Sequence, residues 1–379
     1  MTRLDGDEGI PDTEYVAQLA RHLASVPAAR QDFSKRGAVS IVIRLVAPAS
    51  ASATDEVSEA PPPFPTPPTS TSPAAMQQAL TQYLQDPLVV NARAQILFIQ
   101  RAQYPGDPWS GHIGFPGGKQ EAGDGTLRRT AERETWEELG VAPGGLVCLG
   151  RLDDTQAAGV FGRVLIVVSP WVFLQVASQD LVLSNEVASA HWVDLRQLLQ
   201  PRMLSGHFAS LRALRGAPGW SRAAVRLLGL HEMLYPVAVL RYEERHAVHR
   251  GDSKVYGPFA AQGELRLWGI SLVMAATLVD WCRPACASQD NTAMSLTGPW
   301  PKLHHVAWAD FNLAMRMANK VLWRNPRWRS PRRPLAPGYF TVFQSAARVA
   351  FPLACALKAW ALYVLAKRMA GGLGFIYTM

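Results

Sequence analysis

The 379-residue chain is short of charge and of cysteine. Charged residues make up 18% of it, against roughly a quarter in an average soluble domain. Four cysteines, Cys148, Cys282, Cys286 and Cys355, are too few and too scattered for a disulfide framework, which points to reduced thiols inside a cell. Cys282 and Cys286 stand one helical turn apart, but a single pair without partner ligands is weak ground for zinc. The opening MTRLDGDEG has no apolar h-region, so no secretory signal is expected. Internal repeats are absent. Acid is scarce toward the C-terminus: from Trp300 to Met379 twelve Lys or Arg face Asp310 alone. Since the net charge is +8, the preceding body is slightly acidic. A basic tail on an acidic body argues against a dedicated nucleic-acid domain, whose positive footprint lies on the fold itself. What is plentiful is apolar surface, 48% of residues, enough for a sizeable core and against global disorder. The 28 prolines and 29 glycines must then sit in loops and linkers.

Apolar positions at helical spacing predict a helix over residues 13–28, with Thr13 as N-cap. The β-branched run Ala38–Val46 reads as a strand, and Ala94–Arg101 as a second. Between them, residues 47–86 turn to Ala, Ser, Thr and Pro, a composition expected to stay disordered as an insertion within one sheet. A Gly/Pro-rich loop over 104–124 leads to a helix from Thr126 to Leu139, stopped by Gly140. Strands follow at 146–152, 163–175 and 190–193, with helices at 194–200 and 265–281.

On the 126–139 helix Glu134, Glu137 and Glu138 stand at i, i+3 and i+4, so three carboxylates share one face. Like charges at that spacing repel by a few tenths of a kcal/mol, roughly, per pair. The arrangement makes sense around a hard divalent cation such as Mg²⁺ or Mn²⁺; otherwise it is a solvated acidic helix. The opposite face, Leu127, Ala131, Thr135 and Leu139, can pack on a sheet. Gly117 and Gly118 would let backbone approach the helix closely.

The segment from Gly118 through Asp124 and Arg133-Glu134 to Val141 resembles the Nudix box, G-x5-E-x7-R-E-U-x-E-E-x-G-U. Asp124 stands where the box has Glu, eight residues separate it from Arg133, and Thr135 replaces an aliphatic. The Asp and the extra residue also occur in the branch resembling coenzyme A diphosphatases. The run Leu97–Ala102, followed by Gly111-His112-Ile113-Gly114-Phe115-Pro116-Gly117-Gly118, is similar to the motif preceding the box in that branch, with Asp107 at a position where the motif has Arg. The resemblance implies a Nudix-type α/β/α sandwich with a mixed sheet over residues 36–285, preceded by a helical segment 1–35 and followed by a C-terminal helical extension 286–379.

It further implies that Glu134, Glu137 and Glu138, with the Gly117 carbonyl, hold Mg²⁺ or Mn²⁺. Arg133 would orient Glu134 and pair with Asp124. The implied reaction is attack of water on a nucleoside diphosphate linked to another moiety. Coenzyme A or its acyl form is the expected substrate, cut to 3′,5′-ADP and 4′-phosphopantetheine. The alternatives are a nucleotide-sugar, dinucleotide or oxidised-nucleotide hydrolase, and a catalytically silent binding module. Arg101, His112, Phe115 and Arg151 are candidates for substrate contact, and Glu186 for general base. His246 and His249 have ligand-like spacing without an evident third partner.

The tail mixes Arg324, Arg327, Arg329, Arg332 and Arg333 with Trp323 and Trp328, a pattern suited to phosphate backbone or anionic lipid, or else to a solvated basic linker. Residues 339–366 are strongly apolar and suggest membrane association. Val349–Ala366 is about 18 residues, the lower limit for a span, and Lys358 at its midpoint costs roughly 2.5–3.5 kcal/mol there. An interfacial or packed helix is the favoured form.

Overall fold

The computed structural model describes residues 10–28, 30–46, 64, 73–105, 107, 109–158, 164–199, 202–210, 232–251, 259–282 and 302–303, with helical residues at 356–361, 363, 364 and 367. The chain forms two compact units. The first takes in residues 1–159, 163–205 and 236–299; the second takes in 160–162, 206–235 and 300–379.

In the first unit the elements begin with α1 (Asp12–Ser25), β1 (Arg36–Val46), α2 (Pro73–Leu84), β2 (Arg93–Arg101), β3 (Ile113–Gly114), β4 (Gly117–Lys119) and α3 (Leu127–Leu139). They continue with β5 (Leu146–Arg151), β6 (Thr155–Ala158), β7 (Val164–Gln175), β8 (Val187–Asp194) and α4 (Leu195–Leu199). After β9 (Arg202–Ser210) and β10 (Glu232–Arg241) come β11 (Ala247–His249), β12 (Ala260–Ala261), β13 (Glu264–Leu267) and α5 (Gly269–Cys282). The main sheet runs β11-β8-β2-β1-β7-β5, and it is mixed because β1 and β7 pair in parallel while its other pairs are antiparallel. A smaller antiparallel set joins β12, β13 and β10.

One irregularity of the sheet makes room for the site. The C-terminal half of β1 pairs with β2, Ile43 opposite Ile96, but its N-terminal half pairs with β4, Ala38 opposite Gly118. Likewise the far end of β2 pairs with β3, Ile99 opposite Gly114. The two strands diverge, and residues 113–119 thread the gap, fixed by the Ser40 amide donating to the Pro116 carbonyl at 2.8 Å. The period-2 alternation of β1 sorts its faces. Ala38 and Val42 pack with residues of α3, while Ile41, Ile43 and Leu45 are buried toward the opposite face. On that side α1 packs with α5 and α2 and touches β5 and β2. Residues of α5 from Leu272 to Cys282 are buried almost without exception, so this helix is a core element rather than an amphipathic one.

Several expectations are corrected here. Residues 73–86, assigned to a disordered insertion, include α2, whose Ala79, Leu80, Tyr83 and Leu84 are buried. These positions follow helical spacing, a signal diluted when composition is averaged across 47–86. Gln77 donates to the Ala20 carbonyl of α1 at 2.8 Å, and the Phe64 and Tyr83 rings lie 5.0 Å apart. Residues 47–63 and 65–72 lie outside the described residues. Thr13 is not the cap of α1: Pro11 is, without a side-chain bond, and Thr13 Oγ1 donates to the Val90 carbonyl instead. Helix α1 is tied to the sheet, since buried Asp12 accepts from the Ala94 amide at 2.9 Å and from Arg196 Nε at 2.6 Å. The helix expected at 265–281 starts at Gly269, because alternating Glu264-Leu265-Arg266-Leu267 forms β13.

In the second unit, Lys302 and Leu303 form β14, pairing with Leu234 and Met233. The arginine- and tryptophan-bearing stretch 323–333 lies outside the described residues, as does most of 339–366. Leu357, Trp360 and Tyr363 are exposed. Among the described residues no helix is long and apolar enough to cross a membrane.

Candidate active site

Helix α3 is held in place at both ends and along one face. Thr126 caps its N-terminus by accepting from the Arg129 amide at 3.2 Å, and Gly140 closes it in the left-handed region at φ 71°. The unusual Thr135 is accommodated by a polar strand position: its hydroxyl lies 2.6 Å from that of Ser40 and donates to the Ala131 carbonyl at 2.7 Å. Both hydroxyls are buried and both are bonded, so a polar pair replaces an aliphatic contact between helix and sheet.

Behind this contact Glu134 and Glu138 face β4, while the half-exposed Glu137 bonds Arg133. Glu138 is 3% exposed and accepts from the Gly117 amide at 2.9 Å. Gly118 lies against Glu134, and a Cβ there would collide with the Glu134 carboxylate. At Gly117, φ is +152° and a Cβ would run into the Ala38 carbonyl, so this position requires glycine. Arg133 binds the assembly together. Its Nε and Nη2 take both oxygens of Asp124 at 2.8 and 3.1 Å, and Nη1 meets Glu137 at 2.8 Å. Nη2 also reaches Glu134 at 3.1 Å and donates to the Lys119 carbonyl at 3.1 Å. Asp124 in turn accepts from Thr130 Oγ1 and the Glu121 amide, both at 2.9 Å.

The electrostatics divide the acids into two classes. The Arg133 hydrogen bonds hold Asp124 well below the usual carboxylate range. Burial pushes Glu134 up, with Arg133 opposing. Burial pushes Glu138 up to about 8; the Gly117 amide and Arg101 oppose this, while Glu134 and Glu186 add to it. Glu134 and Glu138 thus crowd negative charge into a partly dry pocket, the condition that a cation relieves. The donor set is oxygen-only, as hard cations prefer, and Gly118 lets the Glu134 carboxylate lie close against the strand. Among the described residues no three such side chains converge closely enough to enclose an ion as they stand, because Arg133 draws Glu137 toward itself.

The other sequence candidates fall in different places. Glu186 is exposed, and its charge acts on both Glu134 and Glu138. Its loop is tied to the end of α3 by the Ser184 amide, which donates to the Glu138 carbonyl at 2.9 Å. Arg101, at the end of β2, is close enough to stabilise the charge on Glu138. His112 is packed in an aromatic group, with ring centroids 4.3 Å from Phe259 and 5.0 Å from Trp268. Two candidates are not brought to the carboxylates as substrate contacts. Phe115 is buried against Phe98, centroids 4.9 Å apart, and is part of the core. Arg151 bonds Asp154 at 2.5 Å and the Ala28 carbonyl at 3.2 Å, tying β5 to the segment after α1. Buried Asp154, which also accepts from Ser169 and Arg36, explains why an arginine stands there. His246 and His249 belong to a polar cluster, His246 with Gln95 and His249 with Glu244.

Sequence reading missed three residues. Tyr104 donates its hydroxyl to the Asn185 carbonyl at 2.7 Å, and Arg250 binds the same carbonyl at 3.0 Å, so both brace the Glu186 loop. Phe259 reaches His112 from a hairpin nearly 150 residues downstream, and no local pattern announces such a contact.

The NUDIX domain family model matches residues 87–214, and the first unit has the mixed sheet with helices of the Nudix fold. An uncharacterized protein of Schizosaccharomyces pombe is 36% identical over 110 residues, 28% of this chain and 33% of that protein. The chain thus spans about a third of the length of the curated relative it matches. Among solved structures, a Caenorhabditis elegans Ap4A hydrolase binary complex is similar at 16% identity and a TM-score of 0.27, covering 43% of this chain and 82% of that one. The NUDIX domain of Shewanella oneidensis NrtR complexed with ADP ribose is similar at 16% identity and a TM-score of 0.26, covering 48% and 86%.

Proposed function

We propose that the chain is a diphosphatase that hydrolyses a nucleoside diphosphate linked to another moiety, with Glu134, Glu137 and Glu138 holding Mg²⁺ or Mn²⁺. The observation that carries this reading is the carboxylate face of α3 pressed against Gly117 and Gly118 and braced by Arg133. When bound, the cation neutralises phosphate charge and lowers the pKa of water. The chain's own groups do the rest. Glu137, now paired with Arg133, would be the third carboxylate to hold the ion, and Arg133 keeps Glu134 aligned through Asp124. Arg101 meets a phosphate oxygen from the strand side. Glu186 takes the proton as the water oxygen bonds to phosphorus and the bridging P–O bond breaks, which leaves two phosphomonoesters.

On the finer substrate, the loop motif favours coenzyme A or its acyl form, with His112 contacting the nucleoside or the pantetheine arm. A second reading, a nucleotide sugar or dinucleotide, is favoured by the acidic Asp107 beside Arg101. An intracellular location and membrane association through residues 339–366 complete the proposal. The test is kcat/KM with Mg²⁺ or Mn²⁺ for coenzyme A, acetyl-coenzyme A, NADH, ADP-ribose and 8-oxo-dGTP side by side. Coenzyme A is expected to lead under the first reading; a lead of about tenfold by ADP-ribose or the oxidised nucleotide, on the order of 1.4 kcal/mol, would sink it. Turnover unaffected by chelation would sink the metal assignment.

A further inference from the structure

Arg101 and Asp107 form an incomplete ion pair. Arg101 is fixed by its strand, its amide donating to the His112 carbonyl at 3.0 Å. Its Nη2 lies 3.6 Å from Asp107 Oδ2, within ion-pair range but beyond a hydrogen bond, and its buried Nε has no hydrogen-bond partner among the described residues. The guanidinium therefore keeps donors in hand for a ligand. Asp107 is fixed as well. Its Oδ1 accepts from the Trp109 amide at 2.9 Å, its own amide donates to the Tyr104 carbonyl at 3.2 Å, and its carbonyl accepts from the Ser110 amide. The carboxylate cannot swing away without breaking this turn.

We propose that Asp107 is a specificity-determining residue that limits how much negative charge a nucleotide can bring to Arg101, so that the site favours a nucleoside without a further phosphate on its ribose. This inference rests on the hydrolase reading above and, within it, selects the second substrate reading, a nucleotide without a phosphate on its ribose, against coenzyme A. Arg101 attracts one anionic oxygen. A second phosphate arriving beside it meets a fixed carboxylate, whereas a ribose hydroxyl there can donate to that carboxylate. The side chains of Arg101 and Asp107 are 35% and 24% exposed, so solvent screens the effect. It should be about fivefold in affinity rather than a hundredfold.

Binding tests this without relying on turnover. The probes are 5′-AMP and adenosine 3′,5′-bisphosphate, titrated by calorimetry against the full-length protein with Mg²⁺ present. Wild type is expected to bind the bisphosphate about fivefold more weakly than AMP. Asp107→Asn keeps the oxygen that accepts from Trp109 and should abolish or invert the ratio; Asp107→Glu, which keeps the charge, should preserve it. A merely structural role would shift both ligands together. An unchanged ratio in Asp107→Asn, or a wild-type preference for the bisphosphate, would overturn the inference. The companion measurement is kcat/KM for dephospho-coenzyme A against coenzyme A and for NADH against NADPH. A shifted binding ratio without hydrolysis of any of the four removes the enzyme reading and upholds Asp107; hydrolysis with an unshifted ratio does the reverse.

Discussion

Glu138 shows how one buried carboxylate couples chemistry to stability. Glu138→Gln retains an oxygen for the Gly117 amide but removes a charge from the proposed cation site, so kcat should fall at least about a hundredfold, the scale of losing one charge-stabilising group. Thermal unfolding should stay cooperative. In metal-free protein, Glu138 holds its proton up to about 8, whereas an exposed glutamate releases it at 4.5. The folded state then binds more protons than the unfolded one across that window. Its contribution to stability is complete below 4.5 and is lost as pH rises through about 8. Melting curves in chelator across this window should decline more steeply for wild type than for Glu138→Gln; parallel curves would contradict the burial argument. Gly118→Ala makes a sharper steric test. Its methyl would displace the Glu134 carboxylate, so the metal concentration for half-maximal activity should rise while the fold persists.

At the scale of elements, the sheet achieves its function by splitting. Because β1 and β2 diverge, the short β3 and β4 can enter between them and lay Gly117 and Gly118 along the carboxylate face of α3. The three tie points on the loop behind α3 (Ser184 to Glu138, Val182 to Leu139 and Tyr104 to Asn185) bring Glu186 over the same face. On the other side of the sheet, α2 is a structural element although it lies in a stretch that reads as disordered. Leu80 is 3% exposed, so Leu80→Ala should cost about 2–3 kcal/mol, measured as a shift in the denaturant midpoint. A neutral result would show that α2 is not docked on α1.

For the whole molecule, charge separates body from tail. The segment from Trp300 onward carries more positive charge than the whole chain's excess, since the body before it is slightly acidic, so the 379-residue chain should co-sediment with vesicles rich in phosphatidylserine and be released by salt. A chain ending at residue 285 should lose this binding and keep its hydrolase activity. Salt-insensitive binding would point to apolar contact through Leu357, Trp360 and Tyr363 instead, and absence of binding would remove the membrane part of the proposal.

The amino-acid sequence alone determined the helix that carries the acids. Its cap at Thr126, its stop at Gly140 and the i, i+3, i+4 spacing of Glu134, Glu137 and Glu138 are local facts that turn geometry and backbone sterics enforce. The strand runs of β1, β2 and β7 were legible for the same reason, as β-branched stretches bounded by turns. Which charges meet which was not legible. Arg101 and Arg151 look alike in sequence, yet one ends a strand facing Glu138 while the other is bound to Asp154, because strand order decides who lies beside whom. The hydroxyl pair of Ser40 and Thr135, the packing of Phe259 on His112 and the docking of α2 on α1 through Gln77 and Ala20 join residues from 57 to 147 positions apart. Such contacts exist only once the sheet has formed, since burial and register, not local preference, bring them together.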